Sequence, residues 1–332
     1  MKVCKEPFEN IEITIDGNVY FCCSHDIEGK SIGNIYSQSF EEIWNSQKAI
    51  EMRTQILNNN YSYCNPELCY RLSNPNVYFD EKKDYFKETL NRYPKEVKFM
   101  HDRECNSNCI FCRKKIYRNS KEEYAKLNKL IDTHFIPILK DAEKIIPNAM
   151  GDAFASRHSR DLIKAVAKKY PNIKFELLTN GILATPKIIK DLGIENRMDT
   201  VFVSFHAIKR STYNKLVHNG NFNMVMKNIK YLSDLHNKGI LRVLQFNFVV
   251  NKYNYKEMKD FIKFARKHNA TPSFWEIRDY NEDIHKKYND LAIHLPTHPE
   301  HKKLLEVLDD EIFDTLKEHE LFPVLRNLRR KN

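Results

Sequence analysis

Six short apolar segments beyond residue 95 constrain the fold of this chain more than any other feature. They are rich in β-branched and aromatic residues, as strands covered on both faces tend to be. Helix-like stretches separate them, and one of these places Met258, Phe261 and Ala265 on a single apolar face. The six segments span residues 96–100, 143–150, 173–181, 200–207, 241–250 and 273–279. This alternation predicts a parallel α/β fold, either a barrel-like curve or an open sheet, with its chemistry at the carboxyl ends of the strands.

The front of the chain follows a different pattern. Isoleucines alternate with polar residues over 11–15, and an Asp16-Gly17 turn leads into a second strand-like run, which predicts a β-hairpin. Residues 39–57 then predict a helix, and the polar stretch after residue 72, with prolines near its ends, predicts a linker. The predicted organisation is a small hairpin-plus-helix domain (1–72), a linker (73–95), an α/β domain (96–285) and a C-terminal helical extension (286–332).

Charge and cysteine content limit the class of protein. Lys and Arg number 54 and Asp and Glu 44, so the net charge of +10 fits either an acidic partner or a solvated surface. The N-terminus has no apolar run, and no window approaches the ~18 apolar residues of a membrane span, so we expect a cytoplasmic protein without membrane contact. In that reducing compartment, eight cysteines indicate metal or redox chemistry in place of disulfides.

Three of the cysteines crowd into one loop directly after the first predicted α/β strand. Cys105, Cys109 and Cys112 have the spacing C-x3-C-x2-C, and thiolates suit zinc or iron–sulfur clusters. A structural zinc site normally needs four protein ligands, whereas a [4Fe–4S] cluster held by three cysteines leaves one iron open to another molecule. The alternative is a zinc site completed by His101.

This loop, with the aromatic Phe111 before its last cysteine, resembles the signature loop of the radical SAM enzymes. The stretches "MGDAF" (150–154), "LLTNG" (177–181) and "VSFHA" (203–207) resemble that family's motifs after its second, third and fourth strands, in the same order. The resemblance implies a partial (β/α)6 barrel, a [4Fe–4S] cluster on the three cysteines, and S-adenosylmethionine (SAM) bound at the open iron. The SAM contacts that it implies are Phe111, Gly151, Asp152, Asn180 and Ser204.

The family's chemistry is the reductive cleavage of SAM to methionine and a 5′-deoxyadenosyl radical, which abstracts hydrogen from a substrate. The resemblance therefore also implies a flavodoxin- or ferredoxin-type electron donor. His206 shares a strand face with Ser204 and is a candidate to move a proton near the substrate. The alternative for His206 is a hydrogen-bonded histidine at the end of a strand.

The front cysteines form a second group. With the segment "IGNIYSQSFEEIWNS" (32–46), they resemble the SPASM or twitch domains that hold an auxiliary [4Fe–4S] cluster, although such domains usually follow the barrel. The implied ligands are Cys4, Cys22, Cys64 and Cys69. Cys22 and Cys23 point to opposite faces of a strand, so one of them is the ligand, and the Gly-x4-Cys spacing favours Cys22. Four thiolates close a cluster completely, which favours electron transfer; the alternative is a structural zinc.

The sequence thus predicts a radical SAM enzyme with an N-terminal auxiliary cluster, acting on a small-molecule substrate in a net oxidation. Within the same class, the alternative is a peptide-modifying maturase. An alternative of another class is a zinc-stabilised, basic nucleic-acid-binding protein, suggested by the net charge of +10 and the ending "RNLRRKN". Aromatic and basic residues are not interleaved into a stacking platform, so nucleic acid is not the preferred partner.

Overall fold

The computed structural model describes residues 2–22, 30–66, 69–73, 75–279 and 281–330. Its strands are β1 Lys2–Val3, β2 Asn10–Thr14, β3 Asn18–Tyr20, β4 Gly33–Asn34, β5 Asp80–Glu81, β6 Glu96–Met100, β7 Asn108–Cys109, β8 Lys144–Ile146, β9 Lys174–Thr179, β10 Met198–Ser204, β11 Val217–His218, β12 Val243–Val250 and β13 Thr271–Glu276. Its helices are α1 Glu6–Glu9, α2 Phe40–Trp44, α3 Gln47–Leu57, α4 Tyr70–Ser73, α5 Pro75–Tyr78, α6 Lys121–Leu130, α7 Arg157–Lys169, α8 Pro186–Leu192, α9 Arg210–Leu216, α10 Phe222–Asn237, α11 Met258–Lys267, α12 Glu282–His285, α13 Tyr288–Leu291, α14 His301–Leu308 and α15 Pro323–Arg330. None of these helices has both the length and the apolar character required to cross a bilayer.

The chain divides into two compact units. The first comprises residues 1–103 and 119–176, and the second comprises 104–118 and 177–332. Each unit packs mainly within itself. The three-cysteine loop belongs to the second unit, whereas β6, the strand that precedes it in sequence, belongs to the first. The four segments expected from the sequence (1–72, 73–95, 96–285 and 286–332) remain a prediction.

In the first unit, the predicted front hairpin joins a parallel sheet. Strand β2 pairs antiparallel with β3 and parallel with β6, so that Ile11 lies beside Val97. Strands β8 and β9 continue the parallel run on the other side of β6. The hairpin turn contains Gly17 at a φ of +83°, where a Cβ would come within 2.5 Å of the Tyr36 ring. Glycine is therefore required at this turn.

In the second unit, β10, β12 and β13 are parallel and in register, with Ser204 beside Asn247 and Asn247 beside Ser273. Their apolar faces pack against α10 and α11 around buried phenylalanine rings, such as Phe248 and Phe261 with centroids 4.7 Å apart. Each of the six segments predicted as parallel strands contains one of β6, β8, β9, β10, β12 and β13 or overlaps it. The predicted fold class is confirmed: a partial (β/α)6 barrel preceded by a small hairpin-plus-helix domain.

One local expectation differs from the structure. Residues 39–57 form two helices, because Ser46 starts a new one by accepting a hydrogen bond from Ala49 N at 3.2 Å. The side chain of Asn45 donates to Leu90 O at 2.7 Å, which holds the break in place. The stretch predicted as a linker packs closely within the first unit: Phe86 is 2% exposed and stacks on Phe8 at 4.6 Å. The polar composition of residues 73–95 gives no indication of such buried apolar side chains.

Candidate functional site

The three-cysteine loop lies in the second unit and its backbone is fixed on two sides. Strand β7 pairs antiparallel with β11, which sets Cys109 opposite Val217. Cys105 N donates to Tyr117 O at 3.1 Å, which closes the base of the loop. Cys112 N donates to Cys109 O at 2.9 Å, so the last two cysteines share one tight turn. The loop therefore presents its thiols from a defined backbone.

The thiols of this loop lie near one another. Loss of solvation raises the pKa of Cys109, and the negative charges of Cys112 and Cys105 raise it further. Arg113 donates from Nε to Cys112 Sγ at 3.5 Å. Thiolates that repel one another in a poorly solvated site are stabilised by metal cations, and soft sulfur ligands fit an iron–sulfur cluster. Within the described ranges, no three His, Cys, Asp or Glu side chains are gathered into a metal-ion site; the fit rests on donor type and thiol proximity.

Asn180 ties the end of β9 to this loop. Its Nδ2 donates to Asn106 Oδ1 at 2.7 Å and to Ser107 Oγ at 3.2 Å, and lies 3.7 Å from Cys105 Sγ. Its Oδ1 accepts from Ile182 N at 3.0 Å. Asn180 is 8% exposed, so these bonds replace its contacts with water. A SAM contact by Asn180 stays a prediction, and the structure gives the side chain a clear role in holding the loop.

His206 and Phe111 pack together in the second unit. Their rings meet edge to face with centroids 4.7 Å apart. His206 is 4% exposed, and its burial lowers the pKa of the imidazole to about 3. Its Nδ1 accepts from Val249 N at 3.2 Å, so in the neutral ring the proton is on Nε2. Ser204 is half-buried at the end of β10.

Gly151 and Asp152 lie in the first unit, in the turn before α7. Asp152 is 1% exposed, and its Oδ1 accepts from Phe154 N at 3.0 Å and Ala155 N at 2.9 Å. Gly151 N donates to Asn148 Oδ1 at 2.7 Å. The carboxylate thus shapes its own turn, and a SAM contact by either residue stays a prediction.

His101, the predicted alternative zinc ligand, also lies in the first unit. Its Nε2 is 2.7 Å from Nε2 of His158, whose Nδ1 is 2.8 Å from Asn128 Oδ1. Burial lowers the pKa of both imidazoles. The two neutral rings therefore share a hydrogen bond in the interior.

The front cysteines lie in the first unit, and Cys4 and Cys64 are near each other. Loss of solvation raises the pKa of Cys4 to about 12, with smaller contributions from Glu6 and Cys64. Cys64 N donates to Tyr61 O at 2.9 Å, and Cys69 N donates to Asn65 O at 2.9 Å, so Cys69 belongs to the next turn of the same segment. Cys22 is half-buried after β3, and Cys23 lies outside the described residues. The choice of Cys22 over Cys23 remains a prediction.

Two buried tyrosine hydroxyls accompany the two cysteine groups. Both hydroxyls are buried, and each has a backbone group within reach, that of Cys4 for Tyr61 and that of Asn221 for Tyr213. Burial raises the pKa of Tyr61 to about 12, helped by the charge of Cys4. Burial also raises the pKa of Tyr213, helped by Cys109. Each group of thiols therefore has a protonated hydroxyl nearby.

Sequence reasoning missed the side chains that bind the three-cysteine loop from the segment after β13. Asn281 Nδ2 donates to Cys112 O at 3.1 Å, and Asp283 Oδ2 accepts from Lys114 N at 3.1 Å. Lys287 Nζ donates to Ile110 O at 2.9 Å. No local motif marks these residues; the only signal was the general rule that loops after parallel strands share one edge of the sheet.

Comparison with known proteins agrees with this geometry. Residues 100–265 match the model of the radical SAM superfamily, and residues 4–70 match that of SPASM, an iron–sulfur cluster-binding domain. A probable GTP 3′,8-cyclase of Saccharolobus islandicus is 29% identical over 175 residues, 49% of this chain and 50% of that protein. The FeMo cofactor biosynthesis protein NifB of Methanocaldococcus infernus is 27% identical over 156 residues, 41% of this chain and 51% of that protein. The chain thus spans about half the length of the curated relatives it matches.

Among solved structures, Streptococcus suis SuiB bound to its precursor peptide SuiA is similar at 11% identity and a TM-score of 0.43, covering 97% of this chain and 72% of that one. A likeness at that score supports no conclusion about this chain. The family models carry the assignment, because together they take in both groups of cysteines and the radical SAM match covers half of the sequence. The chain therefore belongs to the radical SAM superfamily, enzymes that use a [4Fe–4S] cluster with SAM, and it carries a SPASM domain for a further iron–sulfur cluster at its N-terminus.

Proposed function

We propose that this enzyme cleaves SAM at a cluster held by Cys105, Cys109 and Cys112 and uses the resulting radical to oxidise a small-molecule substrate. One observation carries the proposal. The three thiols lie in one loop, near enough that two of them raise the pKa of the third, and the second unit contains no other cysteine. Three thiolates without a fourth from the same unit are the donor set of a cluster with an open position.

When bound, the cluster supplies the electron that splits SAM into methionine and a 5′-deoxyadenosyl radical. The residues of the chain hold and shield that site. Asn180 fixes the loop through Asn106 and Ser107. His206 has a pKa of about 3, so it is a weak base near neutral pH. We therefore assign it a positioning role, in which the Nε2–H group donates to a substrate acceptor while Phe111 packs against the ring.

The oxidation follows from the front site. We assign the auxiliary cluster to Cys4, Cys22, Cys64 and Cys69. These four thiolates would leave no position for a substrate, so the chemistry that a cluster here would supply is the acceptance of an electron from the substrate radical. A flavodoxin- or ferredoxin-type donor would reduce the SAM site. The preference for a small molecule is supported by relatives named for the cyclisation of GTP, each matched over about half its length. A peptide substrate is the alternative, and a precursor peptide that co-purifies with the enzyme would establish it.

The first test measures SAM cleavage without a substrate. After anaerobic reconstitution, we expect about eight iron and eight sulfide per chain, the content of two four-iron clusters. Reduced wild-type enzyme should form 5′-deoxyadenosine, and Cys109→Ala should form none. Cys23→Ala is the matched control, because Cys23 is the cysteine assigned no metal. Equal 5′-deoxyadenosine formation by Cys109→Ala would refute the assignment, and about two zinc ions with no cleavage would favour the zinc-stabilised binder.

The second test addresses the front site. Cys64→Ala combined with Cys69→Ala should lower the iron content to about four per chain and keep part of the SAM cleavage. With the substrate present, the oxidised product should be lost. Circular dichroism must first show that the variant is folded, because losing the metal can unfold a small domain. A folded double variant that still forms the oxidised product at the wild-type rate would show that the front site is structural.

A further inference from the structure

The segment 281–287, called the brace below, contacts one side of the three-cysteine loop. Its side chains bind the backbone of Ile110, Cys112 and Lys114, every second residue through the turn that contains the last two cysteines. Asn281 also caps α12, since its Oδ1 accepts from Ile284 N at 3.1 Å. The cap fixes the position of this asparagine, so the brace is part of the folded structure and not a loose surface contact.

The charges of the brace are unequal in their surroundings. Lys114 Nζ lies 3.9 Å from Asp283 Oδ1, so these two charges largely offset each other. Lys287 is half-buried, and within the described ranges the only hydrogen bond of its ammonium is to the carbonyl of Ile110. In those same ranges no carboxylate lies within ion-pair distance of its ammonium. Lys287 therefore holds an uncompensated positive charge one peptide away from Cys109.

We propose that Lys287 is a redox-tuning residue of the cluster held by this loop; the inference rests on the proposed function of Cys105, Cys109 and Cys112. A cluster gains one negative charge when it accepts the electron. A fixed cation nearby stabilises the reduced form more than the oxidised form, and it does so most where solvent screening is weak. The ammonium thus makes the one-electron reduction that precedes SAM cleavage more favourable, and the carbonyl of Ile110 sets its distance.

The test separates the charge from the hydrogen bond. Lys287→Gln keeps an N–H donor for Ile110 O but removes the charge, whereas Lys287→Arg keeps both. Lys286→Gln is the matched control, because Lys286 is the adjacent lysine and its side chain is exposed. Each reconstituted holoenzyme is titrated with dithionite against mediator dyes, and the midpoint potential is read from the EPR signal that changes when SAM is added.

We expect Lys287→Gln to reduce the equilibrium constant for reduction about tenfold, which is about 59 mV toward more negative potential for one electron. Lys287→Arg and Lys286→Gln should stay near the wild-type value. An unchanged potential in Lys287→Gln at full iron content overturns the inference, and so does a loss of iron in that variant, which would make Lys287 a purely structural brace. Failure of the proposed function is distinguishable: the SAM-sensitive signal would then be missing from wild type or retained in Cys109→Ala.

Discussion

Replacing Asn180 by alanine should loosen the three-cysteine loop more than it destabilises the rest of the protein. The substitution removes the bonds to Asn106 Oδ1 at 2.7 Å and Ser107 Oγ at 3.2 Å, which hold the loop, and the bond from Ile182 N at 3.0 Å, which shapes its own turn. A net contribution of about 1 kcal/mol per hydrogen bond gives a loss of roughly 3 kcal/mol. Asn106 is half-buried and regains water, which places the expected loss nearer 2 kcal/mol.

Asn228→Ala is the matched control. Asn228 is 1% exposed, and its amide donates to Gly181 O at 2.8 Å and Ile182 O at 3.0 Å, so it supports the same turn without touching the cysteine loop. Both variants should lower the midpoint of urea unfolding of the cluster-free protein by a similar amount. Only Asn180→Ala should also release iron faster to a chelator when the reconstituted holoenzyme is incubated anaerobically.

The two variants differ in which parts of the structure their lost hydrogen bonds join. Asn180 joins β9 to the residues that flank Cys105, whereas Asn228 joins α10 to the turn alone. Loss of about 2 kcal/mol from the loop contacts would raise the equilibrium constant for local opening of the loop roughly thirtyfold, in addition to the loss of global stability that the two variants share. Equal rates of iron release from the two variants would refute the view that Asn180 holds the loop.

Three further predictions concern buried polar groups. Tyr255→Phe should stabilise the cluster-free protein by about 1 kcal/mol in thermal unfolding, because it removes a buried hydroxyl that has no partner in the described residues. Tyr213→Phe also gives up a contact with the backbone of Asn221, so it should change the stability little; a marked loss for Tyr255→Phe would contradict this reasoning. His206→Gln should make the free energy of unfolding less dependent on pH in acid. The pKa of His206 in the folded protein is about 3, below the ordinary 6.5, so the wild type loses up to about 1.4 kcal/mol of stability per pH unit below pH 6.5. Urea unfolding at pH 7, 6 and 5 measures this, and an equal loss of stability in wild type and variant would oppose the prediction. Arg53→Lys should lower the free energy of unfolding in urea by about 2 kcal/mol. The fully buried guanidinium donates to Pro7 O at 2.8 Å and to Glu88 O at 3.1 Å, and it lies 4.3 Å from the centre of the Trp44 ring. Arg242→Lys is the control, because Arg242 pairs with Asp199 at the surface and its replacement should cost almost nothing.

The sequence by itself determined the elements of this fold and the chemistry of its cysteine loop. The six parallel strands could be read in order because an apolar run and its flanking turns are local properties of the chain. The same holds for the hairpin at Asp16-Gly17 and for the spacing of Cys105, Cys109 and Cys112, which is by itself typical of the family. Thiol chemistry depends on residue type, and residue type is what a sequence states.

Only the tertiary structure decided which of these elements meet. Nothing in residues 10–14 indicates that β2 would add to the parallel sheet beside β6, because strand pairing depends on partners far away in the chain. The burial of Phe86 was hidden by the charges around it. Lys287 looks like any surface lysine, yet it binds Ile110 O, 177 residues earlier. Hydrophobic patterns specify local structure, whereas the partner of a single polar side chain is fixed by packing over the whole unit, and for that reason the side chains that hold the cysteine loop could be identified only in the folded protein.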